Sequence, residues 1–225
     1  MTETGLRIEP RVEGLSARQR EAFSGLPVAA LSDCMGRGTG TMHLAPRHGD
    51  APLVGNAVTV KPRPGDNLMI HKAFELLQAG DVLVVDGGGA ASGNALVGEL
   101  MMQMAQRKGV AGFVIDGAVR DVAGFRQAGF PCYSRGVTHR GPYKDGLGEI
   151  NTVVTIDGMV VFPGDLIVAD IDGVLAIRPE NAADVLERAI RHVEKERAFS
   201  AALASDSVDR AWVDARIASL RGVHG

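Results

Sequence analysis

The stretch from Asp81 to Asp121 constrains this chain more than any other. An apolar run, 82–85, ends at Asp86-Gly87, and a second, 110–115, ends at Asp116-Gly117. Between them lie a triple glycine, Gly87-Gly88-Gly89, and a segment of helical length. The order strand, glycine loop, helix, strand predicts a crossover unit whose two strands are parallel neighbours. In such architectures small-molecule sites open at the carboxyl ends of the strands. The second strand runs out into a loop that presents Arg120 and Asp121 there.

Around this unit the pattern reads as α/β, with helices outside a mixed sheet or small barrel and a C-terminal helical extension. Residues 1–14 read as a flexible or partner-wrapped arm, and 15–23 and 27–35 as short helices. A turn-rich ordered loop, 36–52, leads to a β-branched strand at 53–60 and then to a helix at 67–78 with Leu68, Met69, Ala73, Leu76 and Leu77 on one stripe. After Asp121 come a short helix, 122–128, a buried extended piece, 130–133, and a basic then glycine-rich connection. Asp157-Gly158 between two β-branched runs is a hairpin signal. Strands at 166–169 and 174–177 follow, then helices at 181–203 and 208–220.

Composition removes several function classes. With 24 basic and 27 acidic residues, no basic stripe and no aromatic platform, nucleic-acid binding has no support. No run approaches the apolar length of a membrane span, and the opening MTETGLRIEPRVEG does not read as an apolar signal segment. Cys34 and Cys132 stand far apart, so a reducing, cytoplasmic setting without a structural disulfide is expected. The six histidines lack zinc-site spacing. His71 and Lys72 read as helix-surface groups, Met101, Met102 and Met104 as packing, and Asp165, Asp170 and Asp172 as turn chemistry.

Two features can carry chemistry. Arg120-Asp121 offers a planar fork for the oxygens of an oxo acid beside a hard oxygen ligand for Mg²⁺ or Mn²⁺. The same pair is equally readable as a helix cap with a surface ion pair. The glycine-rich segment before Glu99 can present free N–H groups to a carboxylate or phosphate at a helix start. Its spacing matches neither the phosphate loop nor the dinucleotide fingerprint, and glycines needed only for backbone clearance explain it as well.

The phrases GNALVGELMMQMAQRKGVAGFVIDGAVRD, PGDNLMIHKAF and FPGDLIVADIDGVLAIRP resemble the RraA-like family over about residues 26–180. That family holds class II pyruvate aldolases acting on 4-hydroxy-4-methyl-2-oxoglutarate and 4-carboxy-4-hydroxy-2-oxoadipate, together with regulators of ribonuclease activity. The resemblance implies a swivelling β/β/α fold. It divides the chain into an arm and helix at 1–25, a catalytic core at 26–178 and C-terminal helices at 179–225 that pack on the core or a neighbouring subunit. It implies a homotrimer or dimer of trimers and a divalent metal, Mg²⁺ or Mn²⁺.

Carried over by position, the backbone amides of Gly98, Glu99, Leu100 and Met101 would hold the pyruvoyl carboxylate; leucine is usual in the family at Met101, where only the main chain matters. Asp121 would bind the metal directly, Glu99 through water, and Arg120 would meet the keto oxygen. Glu196 from a neighbouring subunit, with Glu194 as its rival, would complete the water network. The implied activity is cleavage of a 4-hydroxy-2-oxo diacid to pyruvate and a second oxo acid. Oxaloacetate decarboxylation, which needs the same enolate, is one alternative, and non-catalytic binding of an RNA-processing enzyme is another. No Schiff base is expected, since Lys61, Lys72, Lys108, Lys144 and Lys195 all fall outside the two site elements. No histidine stands in line with those elements either, so a metal-organised water is expected to deprotonate the C4 hydroxyl.

Overall fold

The computed structural model describes residues 5–89, 93–205 and 207–221. Residues 1–4 of the arm, residues 90–92 after the triple glycine, residue 206 and residues 222–225 lie outside the described residues. Chain order begins β1 (Arg7–Ile8), α1 (Ala17–Glu21), α2 (Val28–Cys34), β2 (Ala45–Pro46), β3 (Leu53–Pro62) and α3 (Leu68–Ala73). The central unit is β4 (Asp81–Asp86), β5 (Ala95–Val97), α4 (Glu99–Lys108), β6 (Gly112–Val119) and α5 (Val122–Ala128). Then come β7 (Cys132–Val137), β8 (Gly148–Ile150), β9 (Val154–Ile156), β10 (Met159–Val161), β11 (Leu166–Asp170), β12 (Gly173–Ile177), α6 (Ala182–Ala204) and α7 (Ala211–Arg221).

β4 and β6 are parallel neighbours, in register from Val82 opposite Gly112 to Asp86 opposite Asp116. β3 lies parallel on the outer side of β4, and β7 parallel beyond β6. The far edge of β3 is shared by two antiparallel strands, β11 along Leu53–Asn56 and β8 along Val60–Pro62, which makes the sheet mixed. Alternation along the strands divides the interior. Leu83, Val85, Phe113 and Ile115 pack with Met69, Ile70, Met102 and Phe125 under α3, α4 and α5. Val82, Val84 and Val114 pack with Tyr133, Ile156 and Val161 on the opposite face, beneath the β9–β10 hairpin. Strands buried on both faces read as unbroken apolar runs, which is why these two stood out. A third cluster joins α2 and α6 to β11 and β12 through Leu31, Val168, Leu175, Val185 and Ala189. The Asp157-Gly158 turn is left-handed at both positions (φ 52° and 87°), as a tight hairpin requires.

Three expectations change. The arm is docked: Arg11 makes a two-pronged ion pair with buried Asp81 (2.8 and 2.7 Å), β1 pairs with β8, and Leu15 reaches the third cluster. The helix expected over 67–78 stops at Ala73 and continues in tighter turns, Phe74 N–H to His71 O (3.3 Å) and Leu76 N–H to Ala73 O (2.9 Å). A buried three-residue strand, β5, stands between the glycine loop and α4 and pairs with the end of β6. The triple glycine therefore does not open α4. A Cβ on Gly87 would strike Leu96 Cδ1 and lie 2.9 Å from Asp116 O, so backbone clearance accounts for that glycine. Among the described residues no helix is long and apolar enough to cross a membrane.

Candidate active site

The site forms where β5 and β6 end side by side. Arg120 N–H donates to Val97 O (3.1 Å), which sets the start of α4 against the loop leaving β6. Asp121 then adopts a left-handed conformation (φ 57°, ψ 37°) at the position that would cap α5. Its side chain makes no cap bond. Instead Oδ2 accepts from Glu99 N–H (3.2 Å) and lies 3.4 Å from Arg120 Nε. The Arg120 and Asp121 side chains are 42% and 44% exposed. Gly98, at φ −154°, is in extended backbone open to any residue; what it supplies is space. A Cβ there would sit 2.5 Å from Asp121 Oδ2 and 3.0 Å from Arg120 Cγ.

A cleft of about 90 Å³ opens at this point. From the anticipated set it is lined by Gly98, Leu100, Met101, Arg120 and Asp121. The rest of its wall, called the far wall because α3 and the loop at 142–144 supply it, includes Asn67, His71, Pro142 and Lys144, with Asn67 touching Leu96 and Met101 where the two parts join. That far wall was not anticipated. His71, read as a surface group, is half-buried on α3, and burial together with the Lys144 charge pushes its imidazole below the ordinary histidine value, so it is neutral at pH 7. Lys144 faces the site from a loop distant in sequence. Asn67 is buried, donates to Leu96 O (3.0 Å), and leaves Oδ1 without a protein partner. One signal was available: Asn67 and His71 are spaced i, i+4, which sets them on one helical face directly after a Pro-Gly-Asp turn.

Two anticipated side chains lie elsewhere in this chain. Glu99 stretches over Gly124, where a Cβ would be 2.9 Å from its Cδ, and accepts from Gln103 (3.2 Å). Glu196, on α6, stands 3.3 Å from His192 Nε2, which is also 3.4 Å from Asp33. Two of the four expected amides are engaged: Met101 N–H bonds back to Gly98 O (3.1 Å), and Glu99 N–H meets Asp121.

Among the described residues no three His, Cys, Asp or Glu side chains gather as metal ligands. One open carboxylate, with room beside it for water and substrate oxygens, is nonetheless a donor set that suits Mg²⁺ or Mn²⁺, which take few protein ligands and keep several waters.

The profile of a family described as RraA-like, Aldolase/RraA, matches residues 28–176. A Halalkalibacterium halodurans protein, provisionally named 4-hydroxy-4-methyl-2-oxoglutarate aldolase, is 36% identical over 187 residues, 83% of this chain and 88% of that one. Among solved structures, an uncharacterized protein of Pseudomonas syringae pv. tomato superposes with TM-score 0.78 at 27% identity, covering 87% of this chain and 92% of the other. The RNA-processing inhibitor RraA of Thermus thermophilus superposes with TM-score 0.61 at 34% identity, covering 67% and 92%.

Proposed function

The chain belongs to the RraA-like family, and from that premise we propose that it is a divalent-metal-dependent class II aldolase that cleaves a 4-hydroxy-2-oxo diacid to pyruvate and a second oxo acid. The observation that carries this reading is the Asp121 carboxylate. It occupies a capping position in a strained left-handed conformation, yet leaves the helix uncapped and turns onto Gly98 and Glu99 at the cleft. A capping role does not account for that.

Held by Asp121, Mg²⁺ or Mn²⁺ would supply Lewis-acid polarisation of the oxo acid's carboxylate and keto oxygens. The Gly98 and Leu100 amides, at the positive end of α4, receive the carboxylate. Arg120 forks toward the keto oxygen and carries charge that develops there as the C3–C4 bond breaks. Lys144 gives the far wall a cation for the second carboxylate of a diacid. Neutral His71 is able to accept a proton from the C4 hydroxyl, a role that linear spacing left to water. Glu99, whose side chain lies over Gly124 here, would act through water after turning back toward the cleft, and Glu196 or Glu194 of a neighbouring copy would reach the same network in a homotrimer or dimer of trimers. Oxaloacetate decarboxylation passes through the same enolate and is expected as a side or main activity.

The test is pyruvate release from both hydroxy-oxo diacids and from oxaloacetate. EDTA should abolish it, Mg²⁺ or Mn²⁺ should restore it, and borohydride with pyruvate should leave it intact. Asp121→Ala should lose metal affinity and turnover together. Arg120→Lys should keep the metal and lose roughly two to three orders of magnitude in rate. A borohydride-trapped pyruvate adduct on Lys144 would overturn the mechanism. The likeness to the Thermus inhibitor favours a second reading, a non-catalytic regulator. Absence of turnover alongside a stable complex with a ribonuclease or helicase would decide for it.

A further inference from the structure

We propose that Asp66 is a positioning residue of this site, the buried carboxylate to which the far wall of the cleft is tied and through which Lys144 takes its place; this rests on reading the cleft as the active site. Asp66 has no exposed surface. Its Oδ1 accepts from Leu68 N–H (2.8 Å), the first residue of α3, and its Oδ2 accepts from Asp145 N–H (2.9 Å) and Gly146 N–H (2.8 Å). Arg63 stands 3.5 Å from the same Oδ2. One carboxylate thus clamps the turn that launches Asn67 and His71 to the loop that carries Pro142 and Lys144.

Ala95 N–H to Arg140 O (2.9 Å) and Asn94 Nδ2 to Gly141 O (2.6 Å) hold the start of that loop, and Arg63 meets Asp145 Oδ1 (2.7 Å) at the surface, so Asp66 is its buried charged anchor. Backbone bonds join Asn67 N–H to Tyr143 O (3.0 Å) and Tyr143 N–H to Gly65 O (2.9 Å), an isolated bridge outside any strand. Tyr143, Lys144 and Asp145 are exposed; Arg63 lies over the Tyr143 ring and pairs with Asp145 at the surface, and the contact from below is the Asp66 carboxylate. The fit around the carboxylate is close: a Cβ on Gly146 would lie 2.8 Å from Arg63 Cβ and 3.0 Å from Asp66 Cγ. Burial alone would raise the Asp66 carboxyl, but the three backbone donors hold it below the ordinary carboxylate value, so it is charged at neutral pH. A charged acceptor buried solely to stabilise the fold could sit anywhere; this one joins the two segments that bring Asn67, His71, Pro142 and Lys144 to the cleft.

Asp66→Asn keeps the shape but turns an NH₂ toward N–H groups that need an acceptor. Hydrogen exchange at Asp145 and Gly146 should accelerate roughly tenfold or more, with β3, β4 and β6 unchanged. In turnover of a diacid, KM should rise about tenfold with kcat changed far less, because Met69, Ile70 and Ala73 pack α3 into the core and keep His71 in place while the loop with Lys144 loosens. In a Lys144→Ala background the added Asp66→Asn change should have almost no further effect on KM, because both act through the same ammonium. If Asp66→Asn fails to fold, Gly146→Ala loosens the same contact from the loop side and should give the same pattern. Independent, multiplying effects of the Asp66 and Lys144 changes, or loosening spread through the central strands, would overturn the proposal. The two failures are separable. Lack of wild-type turnover sinks the aldolase reading, while the exchange measurement still decides whether Asp66 holds the loop.

Discussion

Gly98→Ala separates the site from the fold more cleanly than removal of a charged group. The backbone at Gly98 (φ −154°, ψ −169°) accepts alanine without strain. Loss of glycine's freedom in the unfolded chain even favours the variant by about 0.4–1 kcal/mol. The new methyl would lie 2.5 Å from Asp121 Oδ2 and 3.1 Å from Arg120 Nε, where ordinary contact begins at 3.4 Å. Relief needs a shift of about 1 Å in the carboxylate, and both side chains are free enough to swing outward. Stability should therefore stay within about 0.5 kcal/mol of wild type. A displacement of about 1 Å in a reacting group can cost on the order of 100-fold in rate, and that loss is expected in kcat. Urea unfolding and a coupled pyruvate assay give the two numbers. Gly112→Ala is the control: its Cβ would meet Pro131 O, a backbone atom, at 2.8 Å, and the sheet cannot step aside. It should lose roughly 1–3 kcal/mol of stability while the folded fraction keeps its kcat. Wild-type turnover in Gly98→Ala, or a large stability loss there, would refute the claim that this glycine exists to admit Asp121.

Acid should weaken the protein through Asp157. Burial would raise that carboxyl, but His43, the Met42 and His43 amides and Arg135 hold it well below the usual range, so its contribution is present above an unfolded value of about 4 and is lost as pH falls below that. Asp157→Asn should flatten the drop in unfolding free energy below about pH 4.5 and leave the curve above about pH 5 parallel to wild type, and curves that stay parallel below about pH 4.5 would count against it. Thiol chemistry should distinguish the cysteines: burial pushes the Cys132 thiol far up, whereas Cys34 is half-buried. A disulfide reagent should therefore label one thiol in the native protein and two after unfolding, and rapid native labelling of both would contradict the packing described.

What was legible in the sequence follows from how local its causes are. β4 and β6 announce themselves because strands buried on both faces need continuous apolar runs; Asp86-Gly87 ends β4, whereas β6 runs on through Asp116-Gly117, with a shift of register against β7, to Val119. Gly98, Arg120 and Asp121 belong to the same crossover unit, so the near wall of the cleft could be anticipated. The far wall could not. Asn67, His71 and Lys144 meet through hydrogen bonds from backbone N–H groups to one aspartate, and a backbone donor leaves no residue pattern. Arg11 is hidden for another reason: its side-chain partner Asp81 lies 70 residues along the chain, and their pair turns a chain end that reads as loose into a docked segment. The triple glycine misleads for the opposite reason: anion cradles and tight strand crossings need the same residue, and only the position of Leu96 and Asp116 tells them apart.

Asp121 brings the strain argument to a test of its own. A left-handed conformation costs an ordinary L-residue about 1–2 kcal/mol, less for aspartate, and nothing for glycine. The ion pair with Arg120, at 3.4 Å and open to solvent, contributes little to offset it. Asp121→Gly removes the strain but adds unfolded-chain freedom of about 0.5–1 kcal/mol, so stability should be level with wild type or slightly higher. Asp121→Ala keeps the strain without aspartate's tolerance and should be the least stable of the three. A capping aspartate would order them otherwise, with both replacements below wild type and turnover untouched. If the carboxylate is held in place for chemistry, Asp121→Gly should unfold no earlier than wild type on heating and release no pyruvate. A clear loss of stability in that variant with turnover intact would return Asp121 to the role of a helix cap.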